Sequence, residues 1–152
     1  MTEIPDHRAT LFAYGTLMFP DVIRSVIGRV PASRSGVIKG YRRLEVAGES
    51  FPGLVKGDDE SVEGLVYLEI SKEEWDCLTA FEDDFYELQQ VTVDCLGTGV
   101  CALAYIVPPS QKSLLSDKAW NPDAFREKHL AGFADRKQSG VQLEETDRDD
   151  RA

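Results

Sequence analysis

Two short stretches carry residue types that could do chemistry, and they lie far apart in the chain. The first is Leu11-Phe12-Ala13-Tyr14-Gly15-Thr16-Leu17. An apolar, strand-like run stops there at a glycine, and a helix signal follows in Pro20-Asp21 before Val22-Ile23. A strand that breaks into a glycine turn and then a helix leaves backbone N–H groups unpaired and pointing one way, which makes a seat for an anion. The second is Glu82, in Leu78-Thr79-Ala80-Phe81-Glu82-Asp83. With Trp75 at zero and about 100° per residue, Leu78 falls at roughly 300°, Thr79 at roughly 40° and Glu82 at roughly 340°. Glu82 therefore shares the apolar stripe of Trp75 and Leu78. It also sits in the last helical turn, where the dipole disfavours negative charge, beside Asp83 and Asp84. Burial, dipole and like charges all raise a carboxyl pKa. A carboxyl so raised can take a proton and return it near neutral pH.

Each stretch also has a plainer reading, and spacing alone leaves both open. Glu-Asp-Asp reads equally as the solvated acidic end of a surface helix, and a glycine after a strand as a simple turn. The loop lacks the spaced glycines and Gly-Lys-Ser/Thr ending of a phosphate loop, and it is no dinucleotide fingerprint. His7 and His129 share no metal-ligand spacing, so no metal site is expected. On its apolar face, His129 reads as a hydrogen-bonded core or interface residue. No Gly-x-Ser-x-Gly elbow appears, and no histidine accompanies a cysteine as its base. Tyr67, Tyr86 and Tyr105 sit on or beside strands, where the plain reading is packing with the hydroxyl at a rim.

The elements that must position these groups follow from periodicity. Residues 1–9 form a lead-in, and residues 10–14 the first strand. Residues 20–27 form a short helix closed by Gly28. Residues 30–46 read as two strands broken near Gly40. Residues 50–55 form a loop entering an extended piece, residues 56–61 a polar turn, and residues 63–70 an alternating strand. Ser71 with Glu74 makes a capping box that opens a helix running to about residue 83. Residues 88–96 and 100–107 form a hairpin around Gly97-Thr98-Gly99, closed by Pro108-Pro109. Asn121-Pro122 starts a last helix with Phe125, His129 or Leu130, and Phe133 on one face. Strands in hairpin runs, without regular βαβ alternation, predict an α+β fold: a small mixed or antiparallel β-barrel with flanking helices. The domain spans 10–133, and 134–152 is a charged tail expected to be mobile.

Composition narrows the classes of partner. The chain has 152 residues, 42% hydrophobic and 29% charged, with a net charge of −10. That size suits one domain with a real core. Dispersed acidity argues against nucleic acid and against an anionic membrane surface. Cys77, Cys95 and Cys101 form no C-x-x-C pair. They read as small buried or half-buried apolar groups in a reducing interior. With no long apolar run and no signal or transit pattern, the expected location is the cytoplasm.

Taken together, these stretches resemble the gamma-glutamylcyclotransferase-like superfamily. Tyr14-Gly15-Thr16-Leu17 resembles its Tyr-Gly-(Ser/Thr)-Leu signature. Pro52-Gly53-Leu54 resembles its central proline segment, and Val62-Glu63-Gly64-Leu65-Val66-Tyr67 its Val-x-Gly-(Glu)-Val-Tyr strand. Leu78-Thr79-Ala80-Phe81-Glu82-Asp83 with Phe85-Tyr86 resembles its helix end. Trp120-Asn121-Pro122-Asp123 with Phe125 and His129-Leu130 is similar to the C-terminal part of the plant avirulence-induced branch. The resemblance covers residues 10–133.

It implies a reaction without cofactor or metal. The α-amine of a γ-glutamyl amino acid or γ-glutamyl amine attacks its own γ-amide carbonyl, giving 5-oxoproline and a free amine. It implies Glu82 as general acid/base and a substrate-binding set of Tyr14, Gly15, Thr16 and Leu17, to which we add Tyr86 and Tyr105. The partner is then a small γ-glutamyl molecule, handled by a monomer or homodimer. Members often carry arginine two residues after the tyrosine matching Tyr86, where this chain has Leu88. Two alternatives stay open: a related acyltransferase or amide-cleaving enzyme, and a catalytically inactive small-molecule-binding protein, which Leu88 favours. Asp83 in place of the commoner glycine matches the plant-like branch.

Overall fold

The computed structural model describes residues 4–5, 7–128 and 130. Alternation along the first strand, β1 (Ala9–Ala13), divides the interior in two. Leu11 and Ala13 enter one buried cluster, while Phe12 and the following Tyr14 enter another. Strand β1 pairs antiparallel with β3 (Pro52–Ile70) and parallel with β5 (Thr98–Ile106). Strand β5 pairs antiparallel with β4 (Glu87–Cys95), and β4 meets β2 (Ser33–Val46) at Asp94 and Val37. Strand β2 then runs antiparallel along β3 and closes a ring of five strands. A sixth strand, β6 (Leu115–Ala119), extends the free edge of β2. The predicted small mixed barrel is the architecture observed.

Mostly strand side chains fill the barrel: Phe12, Ile38, Leu54, Val66, Val93 and Ala104 meet inside it. The second cluster lies between the barrel and two helices, α1 (Pro20–Ile27) and α2 (Lys72–Phe81). Val22 and Ile23 of α1 and Trp75 and Leu78 of α2 are wholly buried there against Tyr67 and Ile70. Burial of each such side chain contributes about 1.5–3 kcal/mol. A short third helix, α3 (Pro122–Lys128), adds Phe125, which packs on Phe19 and Trp120 with ring centres 5.4 and 5.7 Å apart. Among the described residues no helix is long and apolar enough to cross a membrane.

Helix α2 begins as its sequence dictates. The Glu74 N–H donates to Ser71 Oγ (3.2 Å) and the Ser71 N–H to Glu74 Oε1 (3.0 Å), a closed capping box. Arg29, just past α1, donates to both Glu74 oxygens at 2.6 and 2.8 Å and to the Glu69 carbonyl at 3.1 Å. The Arg29 bond and the capping N–H hold the Glu74 carboxyl down at about 2. Since that lies below the ordinary unfolded value, the stabilisation is whole above about pH 5 and is lost as pH falls toward 2. Arg29 is 43% exposed, so solvent screening limits the ion pair to about 1 kcal/mol. Glu74→Gln keeps the cap and loses the ion pair. Its urea midpoint is expected to fall below wild type at pH 7 and to converge with it near pH 2.

Several elements differ from their sequence reading. The two strands expected across 30–46 are one strand, and Gly40 (φ 83°) marks a register shift within it. The expected loop and polar turn across 50–61 belong to the continuous β3. The turn signal was real but local. Tyr41 pairs with Lys56 and Lys39 with Ser61, so residues 57–60 bulge out of register. The hairpin turns at Leu96-Gly97 (φ 53° and 87°), not around Gly97-Thr98-Gly99. Asp94 Oδ1 accepts the Gly97 N–H at 2.8 Å and fixes that turn. Of the cysteines only Cys95 is buried; Cys77 and Cys101 are exposed because they stand on the outer faces of α2 and β5. The expectations for His129, for Phe133 and for the tail 134–152 lie outside the described residues.

Candidate active site

Strand β1 delivers the loop. After Tyr14 the chain makes a single 3-10 turn, Thr16–Met18, with the Met18 N–H bonded to the Gly15 carbonyl (3.0 Å) and Phe19 N–H to that of Thr16 (3.1 Å). The N–H groups of Gly15, Thr16 and Leu17 precede those bonds, so the turn itself offers them no acceptor. The loop is held from three sides. Tyr67 Oη donates to the Leu17 carbonyl (2.8 Å), and Arg43 Nη1 donates to that of Tyr14 (3.0 Å). A Cβ on Gly15 would lie 2.8 Å from Pro52 Cγ, so only a glycine fits against that ring.

Helix α2 delivers the carboxylate. Its helical turns end at Phe81, one or two residues earlier than expected. Glu82 is the cap: its N–H still bonds the Leu78 carbonyl (3.1 Å), but its ψ of 150° is extended. The chain thus leaves the helix at Glu82, and the extended backbone, not the helical stripe, sets the direction of its side chain. Glu82 is half-buried on the wall of a hollow beside the turn. The same wall holds Tyr14, Gly15, Thr16, Leu17, Tyr86 and Tyr105, so the structure brings together every residue assigned to the site.

Burial and then the charge of Glu82 push the Tyr14 phenol well above its ordinary value. Burial first, then Glu82, also raises Tyr105, against the lowering effect of a bond to Thr79. Both phenols are neutral across the physiological range. Their hydroxyls are engaged in the frame. Tyr14 Oη donates to the Tyr105 carbonyl, and Tyr105 Oη lies 2.8 Å from Thr79 Oγ1 on α2. Tyr86 Oη donates to the Pro52 carbonyl (2.6 Å). The tyrosines therefore shape the hollow and tie its two halves together. Among the described residues, the charged ones of the lining are Glu82 and Asp83, with no Lys, Arg or His. The arrangement can seat a small molecule with an ammonium near the carboxylates and an anionic or carbonyl oxygen near the turn.

Leu88 does not reach the hollow; it is buried in the apolar cluster of Trp75 and Tyr105. His7 is exposed on the lead-in. Residue spacing missed four supports: Arg43, Pro52, Tyr67 and Thr79. Tyr67 is buried rather than at a rim, and burial pushes its phenol up to about 12. Thr79 carried a usable signal, since its angle on α2 lies beside the Trp75 stripe. Arg43 carried none, because an arginine on an alternating strand reads as a surface charge.

A five-stranded mixed barrel with helices packed on its outside is the gamma-glutamylcyclotransferase-like fold. The chain belongs to the family described as "Gamma-glutamyl cyclotransferase, AIG2-like", whose profile matches residues 11–122. It is similar to AIG2-like protein D of Arabidopsis thaliana, 27% identical over 127 residues that cover 82% of this chain and 83% of the relative. AIG2-like protein C of the same plant is 34% identical over 83 residues, 55% of this chain and 48% of the relative. The crystal structure of an AIG2-like protein from Mus musculus superposes with a TM-score of 0.59 at 25% identity, over 76% of this chain and 89% of that one.

Proposed function

We propose that this protein is a γ-glutamylcyclotransferase that converts a γ-glutamyl amino acid or γ-glutamyl amine to 5-oxoproline and the free amine. The observation that carries the reading is Glu82, half-buried on the wall shared with the N–H groups of the turn after Tyr14. Family membership over residues 11–122 supports the same chemistry.

The attack is intramolecular, so the protein supplies no nucleophile. It folds the γ-glutamyl chain until the α-nitrogen lies against its own γ-carbonyl carbon, which removes much of the entropic barrier. Glu82 takes a proton from the α-ammonium. The nitrogen then bonds to the carbonyl carbon, and the oxygen gains negative charge that turn N–H groups can hold. As the oxygen re-forms its double bond, the carbon–nitrogen bond of the amide breaks. Glu82 returns its proton to the departing nitrogen. One proton thus passes from the α-nitrogen to the departing nitrogen through Glu82. The second proton that the ring nitrogen sheds as it becomes a lactam goes to the released amine or to water, so the enzyme ends as it began.

The test is a panel of γ-glutamyl amino acids and γ-glutamyl amines assayed for 5-oxoproline. Release from at least one of them, saturating with concentration, is expected. A panel that binds but yields no 5-oxoproline overturns the enzymatic reading in favour of a binding protein.

A further inference from the structure

On the reading above, the hollow must hold an α-carboxylate, yet among the described residues both charged groups in its lining are acidic. A cation stands just behind the loop. Arg43 of β2 donates through Nη1 to the Tyr14 carbonyl (3.0 Å) and to the Glu63 carbonyl (3.1 Å). Its guanidinium carbon lies 5.4 Å from the centre of the Trp120 ring. That indole is fixed in turn, its Nε1–H donating to the Ser50 carbonyl at 2.8 Å. Burial lowers the guanidinium's pKa, as expected for a cation shielded from water. An arginine stays charged even so.

Arg43 is not part of the lining, whereas Gly15 is. In a trans peptide unit the carbonyl and the N–H point in opposite directions. With the Tyr14 carbonyl tied back to Arg43, the Gly15 N–H is turned to the opposite side of that peptide, away from Arg43. A charged donor on the carbonyl also polarises the unit and strengthens its N–H as a donor. We propose that Arg43 is a positioning residue: it holds the Tyr14-Gly15 peptide with its N–H facing the hollow and supplies, through that peptide, the positive potential that seats the substrate's carboxylate.

The experiment compares two ligands on the full chain by NMR titration: 5-oxoproline, which carries a carboxylate, and its neutral carboxamide. Arg43→Gln keeps polar bulk and loses the charge. It should weaken the acid about tenfold and the carboxamide less than about twofold, as expected for loss of one charge-assisted contact. Arg43→Lys keeps the charge and should keep the wild-type preference for the acid. Equal weakening of both ligands in Arg43→Gln, or no weakening of either, overturns the proposal. Should Arg43→Gln fail to fold, the lysine variant decides alone, and loss of its preference for the acid overturns the proposal. The cyclotransferase reading stands or falls separately, on release of 5-oxoproline by the wild-type protein. A wild-type protein that binds neither ligand removes the Arg43 role as well.

Discussion

Glu82→Gln is expected to lower 5-oxoproline release by about 10²–10⁴-fold, the usual contribution of a positioned general acid/base. The substitution preserves shape and removes the charge and the exchangeable proton. Because Glu82 is the cap of α2 and bonds Leu78 through its backbone, the side chain can change without touching the helix ladder. Thermal unfolding should therefore stay within about 2 °C of wild type, no more than the about 2–4 °C that a 1 kcal/mol change moves a chain of this length. KM should change much less than kcat, since the turn that seats the substrate is left in place. Glu82→Asp keeps an acid but withdraws it by one methylene, and should fall between the two. Wild-type turnover in Glu82→Gln would remove this residue from the mechanism and leave Asp83 as the next carboxylate on the same wall.

What could be read from the chain depended on whether the signal was local. The Ser71 and Glu74 capping box sits within one turn, and it appears in the structure as the sequence implies. The strand, glycine and turn of residues 11–18 are local too, as is the alternation of Leu11 and Phe12 between two clusters. Strand β3 failed because its information is non-local. Gly57, Asp58 and Asp59 carry turn chemistry, and Asp59 does take a positive φ of 57°, yet pairing with β2 on either side carries the strand through. Strand β6 is five residues long, mostly exposed, and paired to β2 at Leu44 and Val46, so its own sequence holds little strand preference. The site divides in the same way. Glu82 and the turn N–H groups were visible because their chemistry is strange for their position. Arg43, Pro52 and Tyr67 were not, because each acts on residues 29 to 50 positions away in the chain.

Gly15→Ala should be the most damaging change at the loop. The obstacle is Pro52, with ring atoms 2.8 and 3.0 Å from where the new Cβ would stand. The ring cannot rotate away as a free side chain would, and Pro52 is itself fixed by its pairing with Glu45 and by the Tyr86 bond to its carbonyl. The turn must therefore yield, and its N–H groups shift off the substrate. Displacement approaching 1 Å at a positioning group costs about 100-fold, so kcat/KM should fall by that order, with about 1–3 kcal/mol of overpacking destabilisation. Adding Pro52→Ala removes the obstructing ring atoms. The double variant should recover at least about tenfold of the lost activity if the two residues are coupled as the contact requires. Recovery of stability without recovery of activity would show that the turn bears on folding and not on the substrate. Full activity in Gly15→Ala alone would place the anion seat elsewhere on the wall.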